Sequence, residues 1–253
     1  MKLATVEAPA GDLPYDVLAP VYDHFFGPDA AEATARALDQ ILLGELPGNS
    51  RILDLCCGTG ELSSRLTRAG YRVTGVDNSG QMLSFAQRRV PSAEFHHADV
   101  REFRTDATFD AAICAYNSLP HITSHADLLT MFRNVRNSLR QGGSFVFDLY
   151  SERAYADLWR GCFCKVDDDF VCVVQANYDS TNGCGENLIT VFRRVKQWER
   201  TEAKLTTRCH SADALYSLLQ QAGFVSMANH DGEADLGIRG AAGRIFWRAK
   251  RGR

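Results

Sequence analysis

The sequence predicts an α/β fold in which mostly parallel strands carry helices on both faces of one sheet. Three features point that way. Extended apolar runs alternate with helical patterns from residue 51 to residue 149, the order that sets strands side by side in parallel. A turn of small residues, Cys56-Cys57-Gly58-Thr59-Gly60, joins the first of these strands to the helix after it. The next strand ends on an acid, Asp77.

Taken in order, residues 12–26 form an amphipathic helix, with Leu13, Val17, Leu18, Val21 and Phe25 at helical spacing. Gly27-Pro28-Asp29 breaks it, and Asp29 is placed to cap a second helix from 30 to about 45. Then come strand 51–55, helix 61–69, strand 71–76, helix 79–89, strands 93–97 and 109–114, helix 125–140 and strand 144–149. Ser124-His125-Ala126-Asp127 reads as a capping box with Asp in place of Glu. Gln141-Gly142-Gly143 reads as the cap that ends helix 125–140. After residue 160 the period becomes two. Runs at 169–178, 187–198 and 203–209 form an antiparallel hairpin unit inserted after the fifth parallel strand. A helix from 211 to 221 and strands 224–230 and 243–249 close the chain.

The glycine turn carries the chemistry. Glycine lets the backbone turn sharply and approach a ligand with no Cβ in between, and the following helix presents unpaired N–H groups at its start. Asp77, nineteen residues after Gly58, sits where an acid grips a ribose diol. Together these make a β-α-β nucleoside-binding device. A dinucleotide needs a third small residue for close helix packing, and Ser63 there is tolerable but not ideal, which counts against that ligand.

The bulk numbers exclude other classes. A formal charge of −3 over 253 residues argues against nucleic acid as a partner, and the basic tail from Arg248 to Arg253 is short. No apolar run is long enough to span a bilayer, and MKLATVEAPAGD lacks the apolar stretch of a signal peptide. Eight cysteines follow no disulfide framework and make no C-x-x-C pair. No metal site is expected, and a reducing cytoplasm is the expected location.

An ordered set of motifs resembles the class I S-adenosylmethionine-dependent methyltransferases. It comprises LDLCCGTG at 53–60, VDNSGQML at 76–83, HADV at 97–100, SLPHI at 118–122, LRQGGSFVFDL at 139–149 and LLQQAGF at 218–224. The opening run from Tyr15 through Leu18, Ala19 and Tyr22 to Asp23 resembles the first helix of bacterial small-molecule members, which also carry a β lid after the fifth strand. The resemblance implies a Rossmann-like seven-stranded sheet of order 3-2-1-4-5-7-6. It also implies a helical cap at 1–46, a cofactor-binding domain at 47–160 and 210–253, and a lid at 161–209. S-adenosylmethionine is the implied cofactor and S-adenosylhomocysteine the product. The implied partner is a small-molecule acceptor methylated at nitrogen or oxygen, with the chain a monomer or homodimer. The same motifs suit a different reaction on that cofactor, such as a cyclisation, or a module that only binds it.

Residue by residue, the resemblance places Asp77 on both ribose hydroxyls, a role compatible with capping the helix at Ser79. Asp99 and the Val100 amide fall at the adenine, and Asn78 and Met82 at adenosine-lining positions. Tyr22 closes over the cofactor. Asp54 either organises the glycine turn or meets the cofactor's ammonium group. Cys56, Gly58, Gly60 and Tyr116 complete the cofactor set. His121 is the candidate general base, its ordinary titration near pH 6.5 suiting the task; the alternative is a loop histidine. Tyr15, Asn117, Tyr150, Trp159 and Arg208 are the expected acceptor contacts. Two departures stand out: the family carries glycine at the position of Cys56, and a Glu-x-His in the lid where this chain has Ala203 and Leu205.

Overall fold

A computed structural model describes residues 13–252, with 27–30 in backbone only. The expectations for residues 1–12, for Arg253 and for the Asp29 side chain lie outside the described residues. Helices α1 (Pro14–Phe25) and α2 (Gly27–Ile41) come first, with Phe26 between them. The second helix therefore starts at Gly27, earlier than the sequence predicted. Strand β1 (Arg51–Leu55) leads into α3 (Glu61–Arg68), β2 (Arg72–Asp77), α4 (Gly80–Arg89), β3 (Glu94–His97) and β4 (Phe109–Cys114). A 3-10 turn (Leu119–His121), α5 (His125–Ser138) and β5 (Leu139–Tyr150) follow.

The seven-stranded sheet runs β10-β11-β5-β4-β1-β2-β3. Strands β1 to β5 are parallel, while β11 (Arg244–Arg251) is antiparallel to both β5 and β10 (Phe224–Asp231). This is the predicted order. Side chains alternate across the sheet, as period two requires. Leu53, Leu55, Ala112 and Cys114 face α5 and α7 (Ala212–Gln221); Ile52, Ala111 and Ile113 face α2 and α3. Strands buried on both faces are what a helix-covered parallel sheet demands.

Two local readings are corrected. Helix α5 stops at Ser138, and Leu139 is already extended (φ −82°, ψ 149°). Gly142 (φ 72°) therefore sits in an irregular stretch of β5, where the β4 pairing shifts register between Phe109 and Ala111, and does not cap the helix. The antiparallel insertion has four strands: β6 (Gly161–Val166), β7 (Phe170–Asp179), β8 (Cys184–Arg194) and β9 (Trp198–Arg208). Helix α6 (Glu152–Leu158) and β6 gave no sequence signal, because α6 is two turns long and β6 is exposed along almost its whole length. The inner face of this second sheet, from Cys172, Val174, Ile189, Val191, Ala203 and Leu205, packs on Leu18 and Val21 of α1.

Candidate active site

A cavity of about 350 Å³ opens at the carboxyl ends of β1, β2 and β4. It lies where the strand order reverses, the usual ligand position in open α/β sheets. Its floor comes from the loops after β1 to β4. Helix α1 contributes Pro14, Tyr15 and Tyr22 as one wall, and Lys204 to Thr206 of β9 contribute another.

Asp77 organises the floor. Gly58 N–H donates to its Oδ2 at 2.8 Å and Ser79 N–H to its Oδ1 at 2.9 Å. Burial pushes this carboxyl above its usual range, against the pull of those amides. Ser79 is itself the cap of α4, its hydroxyl accepting from Met82 N–H. The turn beside Asp77 is left-handed at Cys56 (φ 55°), Gly58 (φ 53°) and Gly60 (φ 80°). That backbone explains why glycine is the common choice at the Cys56 position. At Gly58 an added Cβ would meet only Tyr22 Cε1, at 4.0 Å, so the backbone is open to the cavity.

Asp99 is paired rather than free. The Arg101 guanidinium holds its carboxyl below the usual range, with Nη2 at 2.5 Å from Oδ2. Sequence reading missed Arg101, although it lines the cavity and stands two residues after the acid it grips. Elsewhere in the lining, Tyr15 Oη lies 2.9 Å from His121 Nε2. Burial pushes His121 down to about 4, opposed by a hydrogen bond to the Thr206 backbone. The expected base near 6.5 is thus a neutral imidazole over most of the pH range. Beside it lie Ile122 and Leu205, both apolar.

Tyr116 and Asn117 follow β4 in left-handed conformations (φ 63° and 55°). Tyr116 Oη is buried without a partner, as is Thr59 Oγ1. Both residues line a second cavity of about 20 Å³ beside Cys56 and Glu61.

A family model described as a methyltransferase domain matches residues 52–143. The chain is 34% identical over 167 residues to YqeM of Bacillus subtilis strain 168, a provisional methyltransferase, covering 64% of this chain and 66% of that one. It is 30% identical over 145 residues to the dTDP-3-amino-3,4,6-trideoxy-alpha-D-glucopyranose N,N-dimethyltransferase of Streptomyces venezuelae, covering 56% and 61% of the two chains. In fold it is similar to an S-adenosylmethionine-dependent methyltransferase of Clostridium acetobutylicum ATCC 824 (TM-score 0.78, 22% identity, 94% and 99% of the two chains covered). It is similar also to the sugar N-methyltransferase KedS8 of Streptoalloteichus sp ATCC 53650 (TM-score 0.79, 20% identity, 100% and 98% covered). The chain belongs to the class I S-adenosylmethionine-dependent methyltransferases.

In this methyltransferase the cavity lining brings together Tyr15, Tyr22, Cys56, Gly58, Asp77 and Asn78 with Met82, Asp99, Val100, Tyr116 and His121. The remaining candidates lie outside its lining. Asp54 is buried and accepts from Ser63 Oγ at 2.6 Å, so it organises the turn; burial raises its carboxyl to about 7. Gly60 starts α3, where an added Cβ would meet Ala86 at 3.0 Å. Asn117 Oδ1 accepts from Tyr150 N–H, and Tyr150 lies edge-on to Trp159, which stacks on Tyr155. Arg208 donates to the carbonyls of Thr123 and Asn182. None of these four is in the cavity lining. Pro14, Ser118, Ile122, Lys204 and Thr206 line the cavity without having been named as site candidates, and Leu205, noted only as a departure in the lid, lines it too. Among the described residues no helix is long and apolar enough to cross a membrane.

Proposed function

We propose that the chain transfers a methyl group from S-adenosylmethionine to a nitrogen of a small acceptor, with amino sugars as the favoured class. The observation that carries this reading is the Tyr15–His121 pair, a hydrogen-bonded unit in a cavity lining that also holds the apolar side chains of Ile122 and Leu205. The relatives support the acceptor class: besides the Streptomyces venezuelae enzyme, a dTDP-3-amino-3,6-dideoxy-alpha-D-glucopyranose N,N-dimethyltransferase of Streptomyces fradiae is 37% identical over 82 residues. On the same reading, 1–46 acts as a cap, 161–209 as the lid, and 47–160 with 210–253 as the cofactor domain.

The residues fit the cofactor. A cavity of about 350 Å³ is within the range of small-molecule sites. Buried Asp77, the Cβ-free approach at Gly58 and the unpartnered Tyr116 hydroxyl suit a ligand rich in polar groups. In this assignment Asp77 takes the ribose hydroxyls, Asp99 with the Val100 amide takes the adenine, and Tyr22 closes over them. When bound, S-adenosylmethionine supplies a methyl carbon already activated on a sulfonium sulphur, so the chain's task is to bind, align and exclude water.

The neutral His121 ring donates to the Thr206 carbonyl, and its remaining lone pair accepts the Tyr15 hydroxyl proton. The Tyr15 oxygen then has lone pairs free to accept an acceptor N–H. That bond would hold and orient the acceptor nitrogen in the cavity. The test is methyl release with purified protein against dTDP-linked amino sugars, phenols and carboxylates. Gain of one or two methyl groups on the amine supports the reading. Saturable cofactor binding without transfer to any amine overturns it.

A further inference from the structure

Helix α1 reaches across the cavity from outside the sheet, and two of its acids tie it down. Asp16 Oδ1 accepts from Ser79 Oγ at 2.6 Å and from Gln81 N–H at 3.1 Å. Both donors belong to the start of α4, where unpaired N–H groups and the helix dipole favour a carboxylate. The other Asp16 oxygen accepts from Leu13 N–H at 3.1 Å and so caps α1 as well. Seven residues later, about two helical turns on, Asp23 pairs with Arg89 at 2.9 Å in the last turn of α4. Arg89 also meets Glu61 at 2.8 Å and the Thr59 carbonyl, so it has other partners if Asp23 is lost. The residues between and beside these acids include Tyr15 and Tyr22, the aromatic wall over Asp77.

The Asp16 contact is also continuous with the floor. Ser79 gives its hydroxyl proton to Asp16, its backbone N–H to Asp77, and its hydroxyl lone pair to Met82 N–H. One serine thus joins the clamp on α1 to the acid at the bottom of the cavity. Nothing in the glycine-turn motifs requires a carboxylate at position 16.

We infer that Asp16 is a positioning residue for the cofactor: it docks α1 on the start of α4 and thereby holds Tyr15 and Tyr22 over the bound nucleoside. The inference rests on S-adenosylmethionine as the ligand of this cavity. It assigns α1 the role of a cover whose retention sets how long the ligand stays. Asp23, with a partner that has alternatives, contributes less.

The experiment measures S-adenosylhomocysteine dissociation by stopped-flow competition, together with amide hydrogen exchange. Loss of charge-assisted hydrogen bonds in Asp16→Ala is expected to speed dissociation by about tenfold. Asp16→Asn, which keeps an acceptor oxygen, gives a smaller increase, and Asp23→Ala the smallest. Amides of 14–25 exchange faster in Asp16→Ala while those of 51–55 do not. An unchanged dissociation rate in Asp16→Ala overturns the inference, as does faster exchange spread over the whole chain. If Asp16→Ala does not fold, Asp16→Asn with a wild-type dissociation rate overturns it equally. Wild-type protein that binds neither cofactor form overturns the cofactor assignment itself.

Discussion

Asp148 Oδ2 accepts from Arg244 Nε at 2.8 Å, with the two side chains only 1% and 8% exposed. The same carboxylate accepts the amide protons of Tyr116 and Asn117 at 2.8 and 3.1 Å. It thereby stabilises two successive left-handed residues, a conformation that costs on the order of 1–3 kcal/mol for each non-glycine residue. Arg244 in turn donates to Thr34 Oγ1 of α2 at 2.8 Å. Removing the cation leaves a buried, uncompensated carboxylate, so Arg244→Met is expected to destabilise the fold by about 3–5 kcal/mol. Urea unfolding checks it; a change below about 1 kcal/mol would mean that Asp148 finds water on losing Arg244.

The sheet was legible because its strands are local apolar runs: Ile52, Leu53 and Leu55, or Ala111 to Cys114, declare themselves within six residues. So were Asp77 and Gly58, whose spacing follows from one β-α-β unit. Asp148 and Arg244 were not, since an acid in the run Phe145–Leu149 gains its partner 96 residues later. Gly142 misled because its left-handed backbone suits a helix cap locally, whereas the chain is already extended at Leu139 and Gly142 falls in the irregular stretch between the Leu139 and Ser144 pairings. Asn117, Tyr150, Trp159 and Arg208 lie outside the cavity lining: Asn117 Oδ1 accepts from the Tyr150 amide, Arg208 donates to the Thr123 carbonyl and Trp159 stacks on Tyr155. Arg101 had a readable signal in Asp99-Val100-Arg101, an acid and a base two residues apart.

Gly58 and Gly60 share a left-handed backbone but differ in surroundings. An added Cβ at Gly60 would meet Ala86 Cα at 3.0 Å, backbone that cannot yield, while at Gly58 it would point into open space near Tyr22. Backbone strain alone costs about 1–2 kcal/mol in either case. Gly60→Ala is therefore expected to lose more thermal stability than Gly58→Ala. Gly58→Ala is expected to lose more cofactor affinity. Calorimetry on both variants, with and without S-adenosylhomocysteine, separates the two effects; equal losses at both positions would refute the distinction.

Asp77→Ala should weaken S-adenosylmethionine binding by about tenfold or more, the loss of hydrogen bonds to a charged group. It also orphans the Gly58 and Ser79 amides that Asp77 accepts from. Stability should fall too, so titration calorimetry is run below the melting transition of the variant. Retained affinity in a folded variant would remove Asp77 from the cofactor site.

His121→Ala and Tyr15→Phe should lower turnover with little change in cofactor affinity, and the double variant should be no worse than the poorer single one, because the two side chains form one hydrogen-bonded unit. Burial carries His121 from its ordinary 6.5 to about 4. Any loss of rate from its protonation should therefore appear near pH 4. The sign for stability follows from the same shift. Between about 4 and 6.5 the unfolded chain binds the proton and the folded chain does not, so stability rises with pH there. The contribution is complete above about 6.5 and is lost as the pH falls toward 4. Chemical denaturation from pH 7.5 to 4.5, a range of about three units that covers most of that window, should show a shallower decline in His121→Asn than in the wild type. Parallel curves would mean that His121 is solvated and titrates at its ordinary value.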